Sequence, residues 1–438
     1  MESYKNIFKA TSLFGGVSGL KLVLNLVRNK IAAELLGPAG TGLNSIYNET
    51  RELIHSTTNL GLDISGIRNI SKSYEKWRTA KVENEKLLYH EELLDEISLL
   101  RSWVMLLAIV GSVFCLTMAM PLSFFTFQNL EHTLGYMFLS PAVGFSTLVC
   151  GELTILKATR HLKLVATLSV VFVLFAIVIS LPLYYFLRIN GVLPALVLLF
   201  LAEVLAVLYC SYKHYKPHFC FQFEQLKKGL PVLKLGIAFA IAGMFTHGTQ
   251  LGIKSFFNTT DDGTALIGLY AAGYGIVMQV AGVLFAALDN DFFPRLAGIF
   301  GNLEERRTTV YQQIKVTLPI SLLAVAICIP ALPILLPLLN SEQYLPAIPM
   351  AQFAMAGLVF RAIYLPFSYL NLAAGASRTF LCLELISNAI ILACVIPCYY
   401  YFEYSGYNGL TGVGLGLLIA QIIDTIISYT IAKIKYGL

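Results

Sequence analysis

The sequence predicts an all-α polytopic membrane protein with twelve transmembrane helices, in two six-helix lobes related by a parallel pseudo-two-fold axis. Three observations predict this fold class. The 438 residues are 57% hydrophobic and only 13% charged, whereas soluble domains carry about 25% charged residues. About a dozen apolar segments approach the roughly 20 residues that cross a hydrocarbon core of about 30 Å. The two halves of the chain also share a short sequence pattern.

The predicted spans follow one another with short connections, so no soluble domain is expected. They lie near residues 7–36, 41–70, 100–121, 133–157, 163–187, 191–212, 231–257, 264–296, 313–338, 346–373, 379–402 and 408–434. The predicted domains are an N-terminal lobe over 1–212, a cytoplasmic linker over 213–230 and a C-terminal lobe over 231–438. We expect span one to be retained, because no signal-peptide cleavage pattern precedes it.

Basic residues predict the orientation of the spans. Of the 31 Lys and Arg residues, most lie at the N-terminus, in the even-numbered loops, at the C-terminus or at adjacent helix ends, whereas Arg188 lies in an odd-numbered loop. The positive-inside rule then makes both termini cytoplasmic. The polar segments 71–98 and 211–228 would also be cytoplasmic, and mixed charge in the first indicates a solvated or surface-lying helix.

Polar stripes run along the first two spans. In span one, Lys21, Asn25 and Arg28 are spaced four and three residues apart, which places them on one helix face. Span two repeats these spacings at Asn44, Asn48, Arg51, His55 and Asn59. An ionisable group in a bilayer costs about 2.5 to 3.5 kcal/mol or more, and normally faces a bundle interior or a water-filled cavity. We therefore predict a cationic cavity.

Two later spans carry further cations. Span seven has His247, Gln250 and Lys254 at spacings of three and four. Span ten has Arg361 close to Pro366, and proline can bend a membrane helix. Lys254 and Arg361 are therefore additional candidates for the lumen.

A parallel repeat relates the two halves. Residues 40–47 read Gly-Thr-Gly-Leu-Asn-Ser-Ile-Tyr and residues 263–270 read Gly-Thr-Ala-Leu-Ile-Gly-Leu-Tyr, and each segment opens a span. An even number of spans separates the copies, so the pseudo-two-fold axis runs along the membrane normal, as in some transporters. A substrate path would then run between the halves.

Acidic residues allow several interpretations. Asp63, Asp289 and Asp291 lie near the cytoplasmic ends of spans two and eight, where they could form an inner gate, bind a coupling cation, or cap helices and pair with nearby arginines. Glu49 and Glu52 are candidate partners of the lumen cations, and Lys30 is expected to pair with Glu34. Proton sites are conceivable at Glu152, Glu203, Glu384 and Asp424, and no spacing selects one of them.

At this point the residues resemble a known family. Residues 34–43, Glu-Leu-Leu-Gly-Pro-Ala-Gly-Thr-Gly-Leu, are similar to the first-loop signature of bacterial polysaccharide transporters, which flip O-antigen and related lipid-linked oligosaccharides. Segments 233–239, 291–296 and 311–316 also resemble that family, which belongs to the multidrug/oligosaccharidyl-lipid/polysaccharide exporter superfamily. The resemblance covers essentially the whole chain.

The resemblance implies both a mechanism and a substrate. It implies two lobes around a central cavity that alternates between inward-open and outward-open states in the bacterial inner membrane. The substrate would be an undecaprenyl-diphosphate-linked oligosaccharide, such as a lipopolysaccharide unit, moved from the cytoplasmic to the periplasmic leaflet. Expected partners are the lipid bilayer, this substrate, and the polysaccharide polymerase and glycosyltransferases of the same pathway.

Such a substrate needs two kinds of side chain in the lumen. Fixed cations would hold the diphosphate, with arginine suited to bidentate contacts; the candidates are Lys21, Arg28, Arg51, Lys254 and Arg361. Polar and aromatic groups would hold the sugars; the candidates are Asn25, Tyr47, Asn48, His55, Gln250 and Tyr270.

Two other functions compete with this hypothesis. A cation-coupled multidrug exporter of the same superfamily would be expected to place acidic groups in its cavity, whereas the stripes here carry Lys and Arg. A membrane glycosyltransferase or polymerase usually has a large outer loop, and none is predicted. We find no nucleotide-binding, metal-binding or nucleophile motif, and expect neither a cofactor nor a nucleic-acid partner. A coupling ion, H⁺ or Na⁺, stays open.

Overall fold

The computed structural model describes residues 2–260, 262–287 and 292–437, and no β-strand occurs among them. The helices are α1 Glu2–Thr58, α2 Leu62–Thr79, α3 Glu83–Thr117, α4 Ala119–Phe127, α5 Thr133–Ala158, α6 Leu162–Phe175, α7 Leu181–Leu187, α8 Val192–His214, α9 Phe223–Phe257, α10 Gly263–Ala287, α11 Phe293–Gly298, α12 Leu303–Leu339, α13 Ile348–Ala373, α14 Ser377–Tyr404 and α15 Gly409–Tyr436. A π-helical turn, Ala176–Ser180, joins α6 to α7, and 3₁₀ turns lie at Arg188–Gly191 and Glu342–Ala347. The predicted all-α class is confirmed.

Many of these helices have the length and composition of membrane spans. Among the described residues, eight helical segments are long and apolar enough to cross a bilayer. One of them, Leu162–His214, has 53 residues and covers predicted spans five and six. Spans one and two correspond to α1, and span seven to α9. The chain is a multi-pass membrane protein.

The helical path of α1 is broken at the start of the Gly-Pro-Ala-Gly segment, where the sequence predicts a break between spans one and two. Gly37 adopts φ 64° and ψ −177°, so the helix axis kinks there. Pro38 follows immediately and lacks an amide N–H, which costs least in the first turn of a helix. Spans one and two are therefore two helical arms of α1 that meet at this break.

The second arm ends earlier than the predicted span over 41–70. Leu60 and Gly61 both have positive φ, at 49° and 65°, which ends the helical path after Thr58. A new helix, α2, then begins at Leu62. Left-handed backbone at two successive residues interrupts the helix, and glycine adopts this conformation without steric cost.

Segment 71–98 is helical, as its charge pattern predicted, and forms a hairpin from α2 and the start of α3. Lys76 Nζ and Glu92 Oε1 are 2.7 Å apart across the hairpin. The rings of Trp77 and His90 pack with their centroids 5.5 Å apart. An ion pair and an aromatic contact therefore join its two arms.

Contacts between residues divide the chain into two compact units. Unit 1 comprises Met1–Leu36 and Ile46–His247, and unit 2 comprises Gly37–Ser45 and Gly248–Leu438. In unit 1, α5 packs against α3 and α8, and α2 packs against α3 and α5. In unit 2, α15 packs along α13 and α14, while α12 packs along α13. Helices α1 and α9 contribute residues to both units.

Within unit 2 the two repeat segments pack directly against each other. A Cβ atom on Gly42 would lie 1.9 Å from the carbonyl oxygen of Thr264. A Cβ atom on Gly268 would lie 1.9 Å from the carbonyl oxygen of Pro38. Both distances are far below van der Waals contact, so only glycine permits this backbone approach. Gly42 and Gly268 therefore allow α1 and α10 to cross.

Candidate functional site

Three of the predicted cations lie within electrostatic range of one carboxylate in unit 1. Glu203 of α8 interacts electrostatically with Arg51, then more weakly with Arg28 and Lys21. Lys21 and Arg28 lie on the first arm of α1, and Arg51 lies on the second. The kink in α1 thus leaves these cations within range of one acidic side chain, and we call Lys21, Arg28, Arg51 and Glu203 the cationic cluster.

Arg51 is the most buried member of the cationic cluster, with 6% of its surface exposed. Its guanidinium forms an ion pair with Glu52, one of the partners that the sequence suggested. The guanidinium carbon also lies 4.2 Å from the ring centroid of Phe200 on α8, within the range of a cation–π contact. Its Nε is buried and has no hydrogen-bond partner among the described residues.

Arg28 and Lys21 are more open to their surroundings. Arg28 is partly buried and interacts electrostatically with Tyr184, whose side chain is buried. As in Arg51, its Nε is buried without a hydrogen-bond partner in the described part of the chain. Lys21 is exposed. Two guanidinium groups in this cluster therefore keep an N–H donor that an incoming acceptor can fill.

The other polar positions of α1 have distinct surroundings. Asn25 and Asn48 are both partly buried. His55 Nδ1 lies 3.1 Å from Thr147 Oγ1 of α5. Glu49 Oε1 lies 2.8 Å from His247 Nδ1, so one of the suggested acidic partners is engaged by the polar stripe of span seven.

Tyr47 lies in the interior of unit 1. It is 1% exposed, its hydroxyl is 3.0 Å from His132 Nδ1, and its ring centroid is 5.3 Å from that of Tyr136.

Asp63 lies in the first turn of α2 and accepts a hydrogen bond of 3.4 Å from Asn59 Nδ2. A carboxylate in that position is stabilised by the helix dipole.

The span-seven residues of unit 2 are largely enclosed. Lys254 is 5% exposed, and its Nζ lies 3.5 Å from the carbonyl oxygen of Ser45. Gln250 Oε1 accepts a hydrogen bond of 2.9 Å from the hydroxyl of Tyr270. Tyr270 is 1% exposed and stacks on Tyr274, with ring centroids 5.2 Å apart. The two repeat tyrosines, Tyr47 and Tyr270, are thus equally buried, each in its own unit.

Arg361 has acidic neighbours on two other helices of unit 2. It interacts electrostatically with Glu384 of α14 and with Asp424 of α15. Its Nε is also buried and has no partner among the described residues. The candidate gate residues Asp289 and Asp291 lie outside the described residues.

Two further charged pairs are structural. Lys30 Nζ lies 3.0 Å from Glu34 Oε1, as the sequence predicted. Arg101 Nε donates to Glu152 Oε1 over 2.8 Å, and these side chains are only 2% and 5% exposed. Glu152 is therefore the partner of a buried arginine. Within the described ranges, no group of three His, Cys, Asp or Glu residues could hold a metal ion.

Sequence reasoning missed two neighbours of the cationic cluster and did not single out its acidic member. Tyr184 and Phe200 lie on α7 and α8, in apolar segments without a polar stripe. Glu203 was one of four acids in or near spans with nothing to distinguish it. The three-residue spacing of Phe200 and Glu203 places them on one face of α8, which was the available signal.

Comparisons with known proteins agree on family and fold. Residues 7–300 match the sequence model of the family described as polysaccharide biosynthesis protein. No curated protein matches the sequence. The fold is similar to an inward-facing multidrug resistance MATE family transporter of the MOP superfamily, at 15% identity and a TM-score of 0.73, covering 95% of this chain and 94% of that chain.

Two further solved structures share this fold over 98% of this chain and 96% of theirs. One is a MATE in complex with MaL6, at 15% identity and a TM-score of 0.64. The other is a MOP superfamily transporter from Pyrococcus furiosus, whose binding pocket is described as having reversed polarity, at 14% identity and a TM-score of 0.64. The chain therefore belongs to the polysaccharide biosynthesis protein family and has the fold of the MOP superfamily transporters.

Proposed function

We propose that this protein is a flippase for an undecaprenyl-diphosphate-linked oligosaccharide, such as an O-antigen or similar surface polysaccharide unit. It moves this lipid from the cytoplasmic to the periplasmic leaflet of the bacterial inner membrane by alternating access. The observation that carries the proposal is the cationic cluster of unit 1. Three cations on α1 lie near two carboxylates, Glu203 and Glu52, which leaves one positive charge in excess.

The chemistry of the substrate explains why such a cluster is useful. A diphosphate loses its hydration on entering the hydrocarbon core, and the cost is large unless fixed cations and hydrogen-bond donors replace water. Arg28 and Arg51 each retain a buried N–H without a partner in the described chain, and guanidinium groups bind phosphate oxygens with two parallel hydrogen bonds. Lys21, being exposed, contributes a mobile point charge.

Some of the remaining candidates contact the sugars of the substrate, and others pack the interior of their unit. In this proposal Asn25, Asn48 and His55 contact the sugars, because they are only partly buried on the polar stripe of α1. Tyr47 and Tyr270 pack their units from the inside, since each is 1% exposed. Gln250, Lys254 and Arg361 are the candidates for substrate contact in unit 2.

Orientation and partners follow from the same proposal. Both termini lie in the cytoplasm, where glycosyltransferases finish the lipid-linked unit, and the product is delivered to the periplasmic leaflet, where a polymerase uses it.

Two candidate sites serve a coupling ion, H⁺ or Na⁺. One is the carboxylates Asp63, Asp289 and Asp291 near the inner ends of spans two and eight. The other is the pair Glu49 and His247, whose atoms are 2.8 Å apart.

A cation-coupled multidrug exporter is the second candidate function, and one observation favours it. Carboxylates lie beside the cations in unit 1, where Glu52 pairs with Arg51 and Glu203 neighbours all three cations. A cationic drug would need such carboxylates. We favour the flippase because Arg28 and Arg51 of the cationic cluster each keep a buried Nε without a partner in the described residues, and an N–H donor binds an acceptor rather than a cation.

A cell-based assay with matched variants distinguishes the two functions. In a strain lacking this gene, lipid-linked oligosaccharide should accumulate in the inner leaflet, and the wild-type gene should restore surface glycan. Lys21→Ala, Arg28→Ala and Arg51→Ala should each reduce restoration at equal protein levels, and Arg28→Lys should be milder than Arg28→Ala because the charge survives.

Lys30→Ala is the matched control, because Lys30 lies on the same helix and is paired with Glu34; it should restore export fully. Full export by a well-expressed double variant, Arg28→Ala with Arg51→Ala, would contradict the proposal. Loss of ethidium efflux on gene deletion, with surface glycan unchanged, would establish the multidrug exporter instead.

A further inference from the structure

A cleft of about 90 Å³ lies between α3, α5 and α8 of unit 1 and shares no residue with the cationic cluster. Helices α3 and α8 both pack against α5, so the cleft lies in the groove that they border. Its apolar walls include Met105 of α3, Leu148 of α5 and Leu208 of α8, and Phe219 of the following linker closes one end. Met105 and Phe219 are both exposed, so the cleft opens to the outside of the protein.

The outer face of α8 shows the depth of this opening in a bilayer. Leu205, Tyr209 and Lys213 are spaced four residues apart, so they form one stripe, and all three are exposed. An apolar, an aromatic and a basic residue in this order are typical of a helix that passes from the hydrocarbon through the interface to the headgroups. Tyr212, which lines the cleft, precedes Lys213 directly. The opening therefore lies where acyl chains meet headgroups, at the end of α8 that the basic residues predict to be cytoplasmic.

The linker that follows α8 is fixed to α3 beside the cleft. Arg101 Nη1 donates to the carbonyl oxygen of Lys216 over 2.9 Å, and the amide of Cys220 donates to Ser102 Oγ over 2.7 Å. Phe219 lies between these two anchored positions, so its ring is held at the cleft rather than swinging freely.

The opening of the cleft carries positive charge. Lys213 and Lys216 are exposed, and residues 204–223 include neither Asp nor Glu. The one carboxylate that lines the cleft, Glu152, is paired with Arg101. Basic pockets between transmembrane helices on the cytoplasmic side bind anionic lipid headgroups. An apolar cleft beside two lysines therefore has the chemistry of a phospholipid site.

We propose that this cleft binds an anionic phospholipid of the inner leaflet, with an acyl chain in the groove between α3 and α8 and the phosphate at Lys213 and Lys216. The acyl chain covers apolar side chains and keeps water away from Arg101 and Glu152, whose ion pair lines the cleft. The bound lipid therefore stabilises the junction of α3, α5 and the linker. This inference is independent of the proposed flippase function.

Native mass spectrometry of the delipidated full-length protein in detergent tests the headgroup contacts. Phosphatidylglycerol should bind about tenfold or more tightly than phosphatidylcholine with the same acyl chains, because only the first has a net negative charge. The double variant Lys213→Ala, Lys216→Ala should lose about tenfold or more in affinity for phosphatidylglycerol. The double variant Lys81→Ala, Lys86→Ala removes the same charge from the exposed hairpin of α2 and α3, and should bind the lipid as wild type does. Equal binding of the two lipids by wild type, or an equal loss in both double variants, would overturn the inference.

A second set of variants tests the acyl-chain part of the site. Met105→Trp narrows the cleft from its exposed edge, so it should weaken binding of phosphatidylglycerol although no charge changes. Phosphatidylglycerol should also raise the melting temperature of wild type more than that of this variant. If Met105→Trp is not monodisperse, Phe219→Ala takes its place, because it removes the ring that closes the cleft. Wild-type affinity in the variant that folds would overturn the cleft as the binding site.

A competition experiment separates a phospholipid from a prenyl lipid. An excess of farnesyl diphosphate should leave phosphatidylglycerol bound to wild type, and Arg28→Ala should not alter phosphatidylglycerol binding, because the cationic cluster and the cleft share no residue. Displacement by farnesyl diphosphate would assign the cleft to a prenyl diphosphate and overturn the phospholipid assignment.

Discussion

Replacing Arg101 with methionine should strongly destabilise unit 1. Arg101 donates to both Glu152 oxygens, over 2.8 and 3.0 Å, and to the carbonyl oxygens of Tyr215 and Lys216, over 3.2 and 2.9 Å. The Arg101 and Glu152 side chains are 2% and 5% exposed. Arg101 therefore joins α3, α5 and the chain that leaves α8.

The size of the effect follows from what the substitution leaves behind. Methionine fills much of the volume but leaves the buried Glu152 carboxylate and the carbonyl oxygens of Tyr215 and Lys216 without their hydrogen-bond donor. Breaking a buried ion pair in this way lowers the free energy of unfolding by about 3 to 5 kcal/mol. A unit of this size melts about 2 to 4 °C lower for each kcal/mol lost, so the melting temperature should fall by about 6 to 20 °C. Adding Glu152→Leu to Arg101→Met should recover part of that loss, because no buried charge remains unpaired.

Tryptophan fluorescence is a direct assay for this prediction. The chain has two tryptophans, Trp77 and Trp103, and both belong to unit 1. Thermal melts in detergent should compare Arg101→Met with Arg78→Met, because Arg78 pairs with Glu75 but its side chain is 50% exposed, and such surface pairs contribute about 1 kcal/mol or less. If Arg101→Met melts no lower than the Arg78 control, the buried pair does not stabilise the unit as argued.

Three further predictions concern packing, pH and topology. Gly42→Ala should lower the melting temperature, because its Cβ would lie 1.9 Å from a backbone oxygen, whereas Gly275→Ala has no atom within 4 Å and should not; equal melts would contradict the crossing. Burial and nearby His214 lower the pKa of His161, so the folded state binds fewer protons than the unfolded state just below the usual value of about 6.5. Stability should therefore fall as pH drops from 7.5 through that range, and His161→Gln should reduce this loss; an unchanged pH dependence would refute the assignment. In a Cys-free background, a membrane-impermeant thiol reagent should label Thr260→Cys from outside and not Ala80→Cys, and the reverse pattern would invert the predicted orientation.

Composition and span length predicted the helical membrane fold well, because a bilayer leaves few alternatives for an apolar chain of this length. The Gly-Pro-Ala-Gly segment was harder to interpret. Its residues favour a break, and the helical path is broken there, since Gly37 adopts a positive φ and Pro38 lies where a missing N–H costs little. Local sequence indicated a break and could not give its geometry.

Helix periodicity selected residues of the cationic cluster but not their partners. Tyr47 and Asn48 were both assigned to the sugars, although adjacent helix positions point about 100° apart; Tyr47 is buried and Asn48 is partly open. Glu203 could not be selected, because the repeat within one helix does not say which neighbouring helix its polar residue faces. Which helix Glu203 faces depends on how α8 packs against α1, and Glu203 and Arg51 lie more than 150 positions apart in the sequence.

The helices that belong to both units have a consequence for biosynthesis. Unit 1 includes the first part of α9 up to His247, and unit 2 includes Gly37–Ser45 from the N-terminal part of the chain. As the chain leaves the ribosome, unit 1 cannot be completed until α9 has been inserted into the membrane. The segment around Gly42 must likewise wait for α10, whose backbone it touches. Neither half of the gene therefore encodes a self-sufficient folding unit, and a nascent chain stalled before α9 would be a natural target for membrane proteases.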